Sequence, residues 1–219
     1  MKIRANELEA EAHLAVPASG KGPGVLVLHP WWGLNEDIKN VADRLAEAGF
    51  VALAPDLYNG RIATTIPQAE EYIEAVDEDA ARNIVQAAAD ALLAHEACQG
   101  NQLATLGFSM GGMYAVWLAY AQPERVSAVV LFYGIGWANH ADTQASYLGH
   151  FAENDQYEED EYIQLFKDKL EENGRPHTFH TYPGAEHWFF EPSRPDAYNE
   201  AASELAWQRT LAFLKESLA

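Results

Sequence analysis

The 219-residue chain has one cysteine, Cys98. That excludes an internal disulfide and makes a reducing cytoplasm the expected compartment. Cys98 falls near the end of an alanine-rich helical stretch, a poor setting for a reactive thiol. Basic residues are scarce: 14 Lys and Arg stand against 33 Asp and Glu, a formal charge of −19. A surface of that sign repels polyanions, which argues against nucleic acid and anionic membranes as partners. No apolar run approaches the length that spans a bilayer. The first residues, Met1 to Pro17, carry acids and lack the apolar core of a secretory signal. Linkers, repeats and low-complexity segments are missing too, so residues 1–219 read as a single domain.

What is present alternates. Leu8 to Val16 shows the period-two pattern of a half-buried strand near a sheet edge. Val25–Leu28 is a continuous apolar run, as a strand covered on both faces requires. Asn35 is a good N-cap, and Ile38, Val41, Leu45 and Ala48 keep helical spacing until Gly49. Phe50–Ala54 reads as a strand and 67–96 as one or two helices. Further strands follow at Leu103–Phe108, Val126–Tyr133, Tyr147–Ala152 and His177–Tyr182, with Pro183 to His187 as a loop. Helices are expected after Phe108, around Ile163, Phe166 and Leu170 (ended by Gly174), and around Trp207, Leu211, Leu214 and Leu218. The dispersed carboxylates, such as Glu158 to Glu161, read as solvated helix faces. Strand–helix alternation of this kind gives an α/β fold with a mainly parallel central sheet and helices on both faces.

Chemistry concentrates at Gly107-Phe108-Ser109-Met110-Gly111. A G-x-S-x-G sequence between a buried strand and an apolar helix is a sharp turn that lifts the serine hydroxyl clear of the backbone. The helix N-terminus beside it offers amide donors for an oxyanion. A serine nucleophile needs a base, and the base needs an orienting acid. Of eight histidines, His177 and His180 fall in or beside a strand, where packing or surface roles are expected. His13, His95, His140 and His150 have no informative setting. His187 lies past a strand end, on a Pro-Gly turn. Asp155 stands just beyond another strand, with Glu153 its rival for the acid role. Ser109, Asp155 and His187 therefore follow three different strands, where reactive loops of such sheets gather. Their chain order is that of α/β-hydrolase catalytic triads.

Longer motifs make the likeness specific. His29-Pro30-Trp31-Trp32-Gly33-Leu34-Asn35, Ala54-Pro55-Asp56-Leu57-Tyr58, Gly107 to Gly112, Phe132-Tyr133-Gly134 and Tyr182 to His187 resemble the dienelactone hydrolase family. The resemblance implies an α/β-hydrolase fold without a large cap domain, and ester or lactone hydrolysis without metal or organic cofactor. It assigns Ser109, His187 and Asp155 as catalytic residues and the backbone N–H groups of Trp31 and Met110 as the oxyanion hole. Trp32, Arg61, Tyr133 and Trp188 are then candidate substrate-binding residues, with Trp31 and Trp137 as further aromatic neighbours. The partner implied is a small-molecule ester or lactone. Well-known members carry cysteine in place of Ser109 and glutamate in place of Pro30. They bind a substrate carboxylate with two arginines; Arg61 matches one, but Glu191 occupies the other position, with Arg194 nearby. Uncharged carboxylic esters are thus favoured over anionic lactones. Acyl transfer or peptide hydrolysis on the same residues, and a non-catalytic binding role, are the alternative readings.

Overall fold

A computed structural model describes residues 1–6, 8–137 and 141–219. His140 lies outside the described residues. The chain divides into two compact units, Met1–Leu103 and Ala104–Ala219.

The first unit contains β1 (Lys2–Ala5), β2 (Leu8–Ala15), β3 (Gly22–Leu28), α1 (Glu36–Glu47), β4 (Val51–Pro55), α2 (Ile66–Glu74) and α3 (Glu78–Ala94). Strand β5 (Cys98–Phe108) begins in it and ends in the second unit. There follow α4 (Met110–Ala121), β6 (Val126–Phe132), β7 (Ser146–Asn154), α5 (Asp160–Glu172), β8 (His177–Glu186) and α6 (Glu200–Ser217). The sheet order is β1-β2-β4-β3-β5-β6-β7-β8. β1 and β2 pair antiparallel, as do β2 and β4. The pairs β3–β4, β6–β7 and β7–β8 are parallel. This is the mainly parallel α/β-hydrolase architecture, with no large cap domain among the described residues.

In the first unit, Val25 to Leu28 and Val51 to Ala54 are completely shielded from solvent. That agrees with their unbroken apolar sequences. The Asn35 side chain accepts from Ile38 N at 3.2 Å and starts α1, which buries Ile38, Val41, Ala42 and Leu45. Thr65 and Asp77 cap separate helices, so 67–96 resolves into two. In the second unit, Phe108 stacks on Phe132 at 4.7 Å, and Phe190 reaches both Phe132 and Trp207. The buried face of α6 is Ala202, Ser203, Ala206, Trp207, Thr210 and Leu214, with Leu218 as the half-exposed C-cap.

Three expectations need correction, and one strand was not foreseen. β1 was not visible in the sequence: four residues with only Ile3 and Ala5 inward give too short an alternation. Cys98 does not end a helix; α3 stops at Ala94 and Cys98 opens β5, half-buried, where burial raises its thiol pKa. Pro183–Glu186 is strand rather than loop, because β8 resumes pairing with β7 (Asn154 with Glu186) after an irregularity at Ala152/Asn154. Finally, Glu159 to Glu161 are exposed but Glu158 is half-buried: its carboxylate accepts from Ile135 N at 3.0 Å.

Candidate active site

Ser109 sits between β5 and α4 with φ 48° and ψ −117°, a conformation that non-glycine residues seldom adopt. The turn is held by Ser109 N donating to Phe132 O at 2.9 Å and Gly112 N donating to Ser109 O at 2.8 Å. Its tightness explains the neighbouring glycines. A Cβ on Gly107 would stand 2.4 Å from Gly111 O, and one on Gly134 would stand 2.3 Å from Ser109 O. The Ser109 side chain makes no capping bond to α4. Its Oγ stands instead 3.0 Å from His187 Nε2. Met110 opens α4, so its amide belongs to the first helical turn.

His187 follows the end of β8 and its side chain is almost fully buried. Its Nδ1 lies 2.7 and 2.8 Å from the two carboxylate oxygens of Asp155. A carboxylate accepts, so the imidazole proton belongs on Nδ1 and the Nε2 lone pair faces Ser109. Asp155 follows β7, and its Oδ1 also accepts from Tyr157 N and Glu158 N at 2.9 Å each. Those amides fix the carboxylate through its own turn. Glu153 points elsewhere and accepts from Gly184 N at 2.8 Å.

Three aromatic rings surround the imidazole: Tyr133 at 4.9 Å, Trp188 at 5.0 Å and Tyr157 at 5.1 Å. Tyr133 is fully buried, and its hydroxyl donates to Glu191 Oε1 at 2.8 Å. Tyr133 therefore packs beside His187 in the core. Trp188 is also buried, at φ 66°. Tyr157 is 42% exposed, so it alone of the three offers wide surface to solvent.

Of the remaining candidates, Trp31, Trp32 and Arg61 lie in the first unit and Trp137 in the second. Half-buried Trp31 meets buried Trp32 edge-to-face at 5.4 Å. Ala63 N donates to Trp32 O at 2.9 Å. The exposed Arg61 guanidinium lies 4.6 Å from the Tyr72 ring centre, and its Nε donates to Tyr58 O. Trp137 is 55% exposed and meets Tyr162 edge-to-face. Among the described residues, no group of three or more His, Cys, Asp and Glu is arranged to hold a metal.

Three titratable residues escaped the sequence reading. His29 is fully buried, with Nδ1 2.7 Å from Pro30 O and Nε2 accepting from Leu57 N; burial lowers its pKa against the opposing pull of Pro30 O and Asp56. His150 lies between Tyr182 OH and Thr210 Oγ1 at 2.8 and 2.9 Å. Burial, then His180 and Arg209, holds its pKa well below the ordinary value. Glu158 is pushed up to about 7 by burial, with Ile135 N–H opposing and Asp155 adding to the rise.

These shifts predict how stability follows pH. Below about pH 6.5 the unfolded chain protonates histidines that the fold keeps neutral, so stability falls as pH falls. Glu158 has the opposite sign. Its folded carboxyl keeps a proton up to about 7, so its contribution is present at low pH and lost as pH rises through that value. His29, His150 and His180 all have lowered pKa values, so together they outweigh the opposing Glu158, and stability should fall as pH drops from about 6.5 toward 5. Urea unfolding at pH 6.5 and 5.5 measures this directly, and His150→Gln should flatten the slope.

Comparison with known proteins places the chain. The model of the dienelactone hydrolase family matches residues 10–218. "Protein usf" of Aquifex pyrophilus is 32% identical, covering 100% of this chain and 98% of the relative. A carboxymethylenebutenolidase of Pseudomonas sp. is 31% identical, covering 93% of this chain and 89% of the relative. Among solved structures, a dienelactone hydrolase-like promiscuous phosphotriesterase from metagenomic libraries superposes with a TM-score of 0.90 at 24% identity. It covers 100% of this chain and 97% of that one, a likeness of fold. With its motifs spread from residue 29 to 187 and the family match running nearly end to end, the chain belongs to the dienelactone hydrolase family of hydrolases.

Proposed function

We propose that the protein is a serine hydrolase that cleaves uncharged carboxylic esters or lactones through Ser109, His187 and Asp155. The observation carrying this reading is the unbroken hydrogen-bonded chain from Asp155 through His187 to Ser109, 2.7 Å at one end and 3.0 Å at the other. His187 Nε2 takes the Ser109 proton as Oγ attacks the carbonyl carbon, and Asp155 stabilises the imidazolium that forms. The N–H group of Met110, in the first turn of α4, receives the oxyanion. Such a donor is typically worth about 3 kcal/mol in the transition state. His187 then protonates the leaving alkoxide, giving an acyl-Ser109 intermediate, and activates the water that hydrolyses it. None of these steps calls for a cofactor.

Preference for uncharged substrates rests on Glu191, which puts a buried carboxyl group behind Tyr133. We further read residues 1–219 as one catalytic domain acting on small molecules in the cytoplasm, without nucleic-acid or membrane partners. The acidic charge supports this, and no helix among the described residues is long and apolar enough to cross a membrane. A panel of p-nitrophenyl esters and lactones of graded acyl length and charge tests the reading. Acetate and butyrate esters should turn over, with kcat/KM at least about tenfold above that of a monoanionic succinate ester. Folded protein inactive on every ester and lactone would refute it.

A further inference from the structure

Glu158 lies three residues beyond the acid of the proposed relay and is tied to both sides of it. Its backbone N–H donates to Asp155 Oδ1, and its side chain reaches back to the segment after β6, accepting from Ile135 N. Ile135 is not a free loop residue. Gly134 before it presses on the Ser109 backbone so closely that an added Cβ would stand 2.6 Å from Ser109 Cα. Gly136 after it abuts α4, where an added Cβ would stand 2.9 Å from Met113 Cα. The segment that receives the Glu158 bond is therefore wedged against the backbone that presents the nucleophile.

We propose that Glu158 is a positioning residue: its carboxyl group tethers the turn carrying Asp155 to the Ile135 segment behind Ser109, holding the acid in register with the nucleophile. This rests on the triad reading given above. The relay spans residues far apart in the chain, and a shift of about 1 Å between its ends is enough to cost two orders of magnitude in rate. Asp155 is fixed within its own turn by two amides. Those bonds orient its carboxylate but do not fix the turn relative to Ser109; the Glu158 side chain adds such a link.

The tether is also open to protonation in the working range. Burial raises the Glu158 pKa to about 7, against the Ile135 N–H and with the Asp155 charge. The groups set against it are thus the Asp155 carboxylate on its own turn and the Ile135 amide from the segment after β6; Glu159 and Asp160, next along the chain, are exposed. An ionised carboxylate accepts a stronger hydrogen bond than a neutral carboxyl. Deprotonation therefore tightens the link as pH rises through about 7.

Glu158→Gln and Glu158→Ala separate the tether from its charge. Gln keeps a carbonyl acceptor for Ile135 N–H; Ala has none. With p-nitrophenyl acetate, Glu158→Gln should keep kcat within about threefold of wild type on the alkaline plateau and lose a step of no more than that size, near pH 7, from the pH profile of kcat/KM. Glu158→Ala should lose kcat on that plateau by about tenfold to a hundredfold, with KM little changed. Hydrogen exchange at the Ile135 amide is a readout independent of turnover. It should be slow in wild type and Glu158→Gln, and faster by tenfold or more in Glu158→Ala. Unchanged Ile135 exchange in Glu158→Ala, or an unchanged alkaline kcat in that variant, would overturn the assignment. Wild-type protein that hydrolyses no ester would instead strike at the triad reading, while the exchange measurement would still decide whether the tether exists.

Discussion

Ser109→Ala is expected to lower kcat for p-nitrophenyl acetate by at least about 10⁴-fold. Nothing near the turn offers a replacement nucleophile at the same point: Oγ is the group 3.0 Å from His187 Nε2. The fold should survive, because the side chain does not cap α4 and alanine keeps the backbone bonds to Phe132 O and from Gly112 N. Alanine also relieves no crowding, since the close approaches are made by the Ser109 backbone to Gly134. The variant should therefore unfold in urea within about 1 kcal/mol of the wild type. Turnover within tenfold of wild type would remove Ser109 from the mechanism.

Asp155→Asn is expected to cost about 10⁴-fold in kcat at neutral pH, by a different route. One oxygen of the side chain can still accept from the Tyr157 and Glu158 amides. If that geometry is kept, the amide NH2 turns toward His187 Nδ1. Nδ1 must then accept, the imidazole proton moves to Nε2, and the nitrogen facing Ser109 can no longer take a proton. The loss should fall on kcat more than KM, because the carboxylate is buried behind the imidazole and does not face the substrate. A variant that loses only substrate affinity would contradict this role for Asp155.

Much of the architecture was legible because burial on two faces leaves a signature in composition. Val25–Leu28 and Phe50–Ala54 could not be amphipathic strands, and the structure buries them completely, except that the second strand begins one residue later, at Val51. Asn35 announced a helix start because few side chains can accept from an N3 amide. The strand-end positions of Ser109, Asp155 and His187 could be read because each follows a strand-like run, directly or after a few residues, and the three meet in space. What escaped depends on partners remote in sequence. Nothing local marks Glu158 as different from Glu159, since its hydrogen-bond donor is Ile135 N, 23 residues upstream. His150 sits in an ordinary strand and is made unusual by Tyr182 and Thr210. Tyr133 read equally well as a pocket wall, and only the hydroxyl bond to Glu191 places it in the core beside the imidazole. The extension of β8 through Pro183 and Gly184 ran against local turn chemistry, which pairing with β7 overrode.

The reactivity of a single serine is the sharpest test of the whole account. Native protein treated with a fluorophosphonate and digested for mass spectrometry should carry one phosphonyl adduct, on the peptide containing Ser109. The adduct should approach stoichiometry, fall by at least about 10²-fold in rate in His187→Ala, and vanish on unfolding. Stoichiometric labelling at another residue, or continued ester hydrolysis by protein whose Ser109 stays unmodified, would contradict it.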